Sequence, residues 1–364
     1  MVEPTPLRYE PDFVTPPGQT LQDTLDGIGM RQAEFAKRTG NSAKTINEIV
    51  RGKAPITPDM ALRFERVLGV PASFWMNFER SYRESLARAK ERALLQKQVQ
   101  WLKRFPFKKM IQYRWLREFG DTVTQAQELL GFFGVASPDC WNELWIEQPL
   151  AAFRQSKAFQ SNPEATAAWL RRGEIEGHRI ETRPFDEARF RRALVDARRL
   201  TLEPPDVFQE RLKALCAECG VAVALVRELT GVRMSGATRW LKPDKALIQL
   251  SLRYKTDDQL WFSFFHEAGH ILLHGKRSVF LDTEDMHGDR EEEADAFSRD
   301  LLILPKDFDR FAASGEAQRR EAIRSFAASI GVAPGVVVGR LQHDGHLPHT
   351  HCNGLKVRLE WAQN

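Results

Sequence analysis

The sequence predicts a multi-domain chain: an all-α N-terminal domain, a helical middle, and an α+β C-terminal domain. Three patterns lead there. Up to about Ser81, short helical segments are punctuated by Gly and Pro; from Ser81 to about Leu200 the pattern is long, basic and helical. From Thr201 onward, strand-like and helical stretches alternate. The run Glu203-Pro204-Pro205-Asp206 is the clearest punctuation between them. The expected domains are residues 1–80, 81–200 and 201–364.

With 42% hydrophobic and 28% charged residues in 364, the composition is that of a folded soluble protein of two or three domains. A net charge of +4 excludes a histone-like polycation, so any nucleic-acid surface must be local. No apolar run approaches the roughly 18–20 residues that span a bilayer. Met1–Gln19 lacks the basic and then apolar pattern of a secretory signal. Cys140, Cys216, Cys219 and Cys352 are too few and too scattered for a disulfide framework. These features predict a cytoplasmic protein with no membrane partner.

In the first domain, Gly29 to Gly40 reads as a short helix with Ala33, Phe35 and Ala36 inward, ended by Gly40. Ser42 can cap a second helix, Ala43–Val50, that buries Ile46 and Ile49. A small residue at Ala36 and a glycine at the turn let the two helices cross closely and steeply. That is a helix-turn-helix, whose second helix enters the major groove of DNA. Ser42, Lys44, Thr45 and Asn47 can bond base edges or phosphates, and Arg51 and Lys53 suit the backbone. Arg31 and Gln32, at the start of the preceding helix, complete the candidate DNA-binding residues. Thr57-Pro58-Asp59 predicts a capped, proline-initiated helix through Leu68. The plainer alternative is a small helical bundle that touches no nucleic acid.

Residues about 20–82 resemble the HigA-type branch of the Cro/cI (XRE) helix-turn-helix regulators, most specifically over Gly52–Trp75. The resemblance implies binding to double-stranded operator DNA as a homodimer on a palindromic site, often with autoregulation. Arg31 departs from the Ser or Thr usual at that position.

Between Arg80 and Arg117, twelve Lys or Arg stand against only Glu84 and Glu91. This reads first as a solvated helix face; the sharper alternative is a helix lying along DNA phosphates.

The C-terminal domain carries His266-Glu267-Ala268-Gly269-His270 within an aromatic and aliphatic stretch. Residues i and i+4 of a helix share a face, so both imidazoles can reach one ion. Zinc there would acidify a water molecule and polarise a carbonyl, with Glu267 taking the proton and passing it on. Downstream, helical spacing groups Glu291 with the inward stripe of Ala294, Ser298 and Leu301. It groups Glu292 with the polar Asp295 and Arg299. Glu291 is therefore the expected third ligand, with Glu292 and Glu293 as alternatives, and Asp295 can bond a ligand histidine. Three consecutive glutamates also suit the positive end of a helix without any metal.

From about Phe185 to Pro305 the chain resembles the ImmA/IrrE family of zinc metallopeptidases. The likeness runs through Leu215–Val223, Gly236–Leu241, Ala246–Arg253, the HExxH helix and Glu291…Phe297…Leu301-Leu302. It implies a zincin-like domain in which His266, His270 and one of Glu291–Glu293 hold Zn2+ and Glu267 is the catalytic acid/base. Family members are often fused to DNA-binding domains, and several cleave a repressor. Leu301-Leu302-Ile303-Leu304-Pro305 departs slightly from the Leu-Leu-Met-Pro of many relatives. Strands are expected near Val221–Val226, Gly236–Leu241 and Leu247–Leu252, beside the zinc helix.

Other metal-friendly groups are read as structural. Cys216-x-x-Cys219 lacks a second pair at finger spacing, and His274 suits packing or support of a ligand better than ligation. The tail with His343, His346, His349, His351 and Cys352 reads as mobile, with adventitious metal affinity. The expected function is a DNA-binding regulator whose zinc endopeptidase domain hydrolyses a partner protein of repressor or toxin–antitoxin type. The rival is a non-enzymatic antitoxin and autorepressor whose zinc fold senses a ligand or grips a toxin partner.

Overall fold

A computed structural model of the chain describes residues 15–147, 162–275, 280–282 and 289–362. The chain divides into two compact units, Met1–Val99 and Gln100–Asn364.

The first unit is all helical: α1 (Pro17–Gly27), α2 (Gln32–Thr39), α3 (Ala43–Val50), α4 (Pro58–Leu68) and α5 (Ala72–Gln98). Leu21, Leu25, Phe35, Ile46, Ile49, Phe64 and Trp75 form its core. Gly40 ends α2 at φ +67°, and the Ser42 hydroxyl accepts from the Thr45 N–H at 3.0 Å to cap α3. Ala33, expected inward, is exposed. Helix α2 buries Phe35, Ala36 and Thr39, and Ala33 lies about 200° around the axis from Phe35. Helix α1, which the sequence pattern leaves unmarked, crosses α3 at backbone contact. A Cβ on Gly18 would lie 1.9 Å from the Ile49 carbonyl oxygen. Helix α5 runs unbroken across Ser81. Its basic half is largely exposed, with Arg83–Glu79 and Arg88–Glu84 paired one turn apart at 2.7 Å each.

The second unit begins with α6 (Phe107–Gln112), α7 (Thr122–Phe133), α8 (Pro138–Asn142), α9 (Pro163–Arg179), α10 (Glu187–Arg199) and α11 (Pro205–Ala217). A four-stranded sheet follows: β1 (Val221–Leu225), β2 (Gly236–Lys242), β3 (Lys245–Leu250) and β4 (Phe280–Asp282), in the order β1-β3-β2-β4. Strands β1 and β3 are parallel, with Val221 opposite Ala246. Strand β2 is antiparallel to β3 and β4. The three strands expected from sequence are present with ends shifted by one or two residues; β4 is additional. Val221, Ala222 and Val223 of β1 and Leu247, Ile248 and Gln249 of β3 are almost fully buried, as befits strands covered on both faces.

Helix α12 (Asp257–Leu273) packs Trp261, Phe264, Phe265, Ala268 and Ile271 into the main core. It is followed by α13 (Asp289–Leu302), α14 (Pro305–Ala312), α15 (Arg320–Ile330) and α16 (Pro334–His343). Among the described residues no single helix is long and apolar enough to cross a membrane.

The segment after α16 is not the mobile tail its composition suggests. Leu347, Cys352, Leu355 and Leu359 are buried in the core, and the Asp257 N–H donates to the Val357 carbonyl at 3.0 Å. The Gln342 amide donates to the His351 carbonyl and the Asn353 Oδ1, both at 2.9 Å. Leu347 between the histidines and Cys352, Leu355 and Leu359 beyond them anchor the segment, while His349 and His351 stay exposed. Cys216 and Cys219 are buried free thiols. Burial pushes both up, leaving them poor thiolates.

Candidate functional site

Helix α12 presents His266 and His270 on one face, and α13 brings Glu291 opposite them. The three side chains offer ligand atoms that all lie within 4.8 Å of one another. His266 Nε2 is 2.9 Å from His270 Nε2, and Glu291 Oε2 is 3.2 Å and 3.4 Å from the two nitrogens. Donors at ordinary zinc distances of about 2.0–2.1 Å in a tetrahedral shell sit roughly 3.3 Å apart, so the spacing suits one small ion.

A close helix crossing makes this convergence possible. A Cβ on Gly269 would lie 3.3 Å from the Ala294 Cα and 3.2 Å from Phe297 Cδ1. Of the three glutamates, Glu291 points inward and is 9% exposed, whereas Glu292 and Glu293 are exposed.

Outer partners fix both imidazoles. His266 Nδ1 lies 2.8 Å from Asp295 Oδ1, so an Nδ1–H donated there leaves the Nε2 lone pair facing the centre. His270 Nδ1 lies 2.8 Å from His274 Nδ1, and His274 Nε2 lies 3.0 Å from Glu293 Oε2. One consistent arrangement has His270 donating to His274 and His274 donating to Glu293. His274 and Glu293 thus support a ligand without joining it.

The protonation states suit cation binding. Burial raises the Glu291 carboxyl, but hydrogen bonds from His266 and His270, which need Nε2–H protons that a cation would displace, outweigh it and bring the group down to about 2. Burial lowers His270 against the opposing pull of Glu291. An ionised carboxylate beside a neutral imidazole is the state in which both can ligate.

Glu267, the expected acid/base, is fully buried beside the first residue of β2. A Cβ on Gly236 would come within 2.5 Å of Glu267 Oε1. Glycine is therefore what admits this carboxylate, and the Thr238 hydroxyl donates to the Glu267 carbonyl at 3.2 Å.

In the first unit, Arg31, Ser42, Lys44, Arg51 and Lys53 are exposed, and Gln32, Thr45 and Asn47 are half-buried. Ser42 and Thr45 hydroxyls meet at 2.8 Å. The Gln32 amide donates to Gln22 Oε1 at 2.6 Å, and the Asn47 amide reaches Gln32 Oε1 at 3.5 Å. A polar chain thus links α1, α2 and α3, and Gln22 is a member that the sequence pattern gave no reason to choose.

The helix-turn-helix family profile matches residues 25–75. An uncharacterized HTH-type transcriptional regulator, YddM of Escherichia coli (strain K12), is 32% identical over 75 residues, which are 21% of this chain and 78% of that protein. The chain belongs to the helix-turn-helix family. Virulence-associated protein I of Dichelobacter nodosus is 39% identical over 67 residues, 18% of this chain and 62% of that protein. Among solved structures, Pseudomonas aeruginosa antitoxin HigA with the higBA promoter is 35% identical, with a TM-score of 0.21. It covers 21% of this chain and 86% of its own. The profile falls wholly within the first unit, so the helix-turn-helix assignment rests on that unit and the metal-ligating cluster stands on geometry.

Proposed function

We propose that this chain is an XRE-type, HigA-like DNA-binding regulator whose second unit is a zinc endopeptidase of the zincin kind, related to ImmA/IrrE. The observation that carries the peptidase half is the convergence of His266, His270 and Glu291 at metal-ligand spacing, on the helix that also holds Glu267. Two imidazoles and one carboxylate, with a further position for water or substrate, are the donor set of catalytic rather than structural zinc. When bound, zinc would supply Lewis acidity toward a water molecule and a peptide carbonyl. Glu267 takes the proton from the attacking water and delivers it to the departing amine. Asp295 and the His274–Glu293 pair keep the ligand imidazoles aimed.

The reading of the first unit is supported by the family match and by Ser42 and Lys44, exposed at the start of α3, together with Arg51 and Lys53. These suit a major groove and its phosphates. The partners are double-stranded operator DNA, palindromic and bound by a homodimer, and a protein substrate of repressor or toxin–antitoxin type.

The test is zinc content of the full chain with the exposed His349 and His351 replaced by Asn, beside the same protein carrying His266→Ala. About one zinc per chain, lost on His266→Ala, is expected; a zinc-free parent sinks the metal centre. Glu267→Gln is then expected to keep its zinc and lose regulatory output in cells. Unchanged output would remove the peptidase and leave a sensor or toxin-gripping fold.

A further inference from the structure

A cavity of about 440 Å³ in the second unit lies along β1 between α9 and α11, and none of its lining residues belongs to the metal-ligating cluster. That size is ordinary for a small-molecule site. Its deep surface is apolar: Val223, Leu252, Phe208 and Leu260 line it and are buried.

Its polar lining is different. Arg172, Lys213 and Arg227 line it against only Glu176 and Glu360. Two of these cations are pinned by aromatic rings. The Arg172 guanidinium lies 6.0 Å from the Trp115 ring centre. That of Arg227 lies 5.5 Å from Tyr113 and 5.8 Å from Trp361. Arg227 also donates to the Ala362 carbonyl. Arg172 pairs with Glu176 one turn along α9, yet its burial lowers its pKa by more than Glu176 restores. An anion in the cavity would add a second partner for that cation.

We propose that this cavity binds a small molecule with a flat apolar body and a single carboxylate, the body against Val223 and Leu260 and the carboxylate toward Arg172. An apolar depth ending in fixed guanidinium groups selects that combination, because guanidinium is the planar donor matched to carboxylate. Neutral analogues forfeit the charged contact, and small inorganic anions forfeit the apolar one.

The probes are 2-naphthoate and its neutral counterpart 2-naphthamide, titrated calorimetrically into the full-length protein. Expected is one saturable site per chain, with naphthoate bound about tenfold or more tighter than naphthamide. Arg172→Met is expected to erase that preference while leaving naphthamide binding unchanged. Gln209→Trp, which narrows the cavity without altering charge, weakens both probes. Lys213→Met, at a more exposed position, is expected to reduce the preference even if Arg172→Met fails to fold. Absence of naphthoate binding at millimolar concentration, equal affinity for the two probes, or a preference untouched by Arg172→Met and Lys213→Met would overturn the proposal.

Discussion

Asp257 opens α12, and its Oδ1 accepts the Val357 N–H at 2.9 Å. Burial foremost, with Asp258 adding repulsion, raises its pKa from the ordinary 3.8 to about 6. A carboxyl with a raised folded pKa holds its proton longer in the native state than in the unfolded chain. Its contribution is therefore full below about pH 4 and is lost as pH rises through about 6. The wild type is expected to lose about 1–3 kcal/mol relative to Asp257→Asn between pH 4 and pH 7. Urea midpoints of the pair at the two pH values check this; parallel pH profiles would refute it. At the proposed zinc centre, Asp295→Ala is expected to weaken zinc binding about 10–100-fold in a chelator competition. Glu292→Ala, on the exposed face, leaves it unchanged. The inward setting of Glu291 is legible in the sequence because helical periodicity groups it with Ala294 and Ser298 and sets Glu292 with Asp295 and Arg299. The His274–Glu293 contact is not, since it joins residues 19 positions apart through a helix crossing that no local pattern encodes.

At the scale of elements, the two glycines that admit the site behave as spacers. Gly236→Ala would push a methyl into the Glu267 carboxyl. If the proposed peptidase function holds, the variant is expected to retain zinc and fold while lowering turnover of a partner protein at least about tenfold. Turnover equal to wild type would show that β2 and α12 can separate at no cost. Ser42→Ala removes the cap of α3 and is expected to cost about 0.5–2 kcal/mol in urea unfolding of the first unit. The capped turn at Gly40–Ser42 and the α12 motif were both readable, since caps and i, i+4 spacings are local. Helix α1 and the exposed Ala33 were not. Which face of a short helix turns inward depends on what covers it, and α1 reaches α3 through Gly18, a residue with no side chain to signal burial. The continuity of α5 was obscured for a related reason: composition changes at Ser81 from packed to solvated, while helix propensity does not.

At the scale of the molecule, each unit has its own core. A fragment of residues 15–99 is expected to fold alone and give a helical circular-dichroism spectrum; a disordered fragment would contradict that. Deleting residues from Gln342 onward removes Leu347, Leu355 and Leu359 from the main core, each worth about 1.5–3 kcal/mol of burial. The deletion is expected to abolish the near-ultraviolet signal of the second unit, and with it the proposed zinc site, while sparing the first. Histidine content misled here because metal-friendly composition is visible in sequence, whereas the anchoring leucines are too sparsely spaced to show a period.

The closing contact also sets an order of events during synthesis. Val357 meets Asp257 across 100 residues, which at about 5–20 residues per second is an interval of about 5–20 s on the ribosome. Through that interval α12 has been made but lacks its terminal partner, with Trp261, Phe264 and Phe265 awaiting a complete core, while the helix-turn-helix unit already has every residue it needs. A nascent chain therefore passes through a stage in which the first unit is complete while the second still lacks part of its core. Any pause in translation before Val357 lengthens that stage.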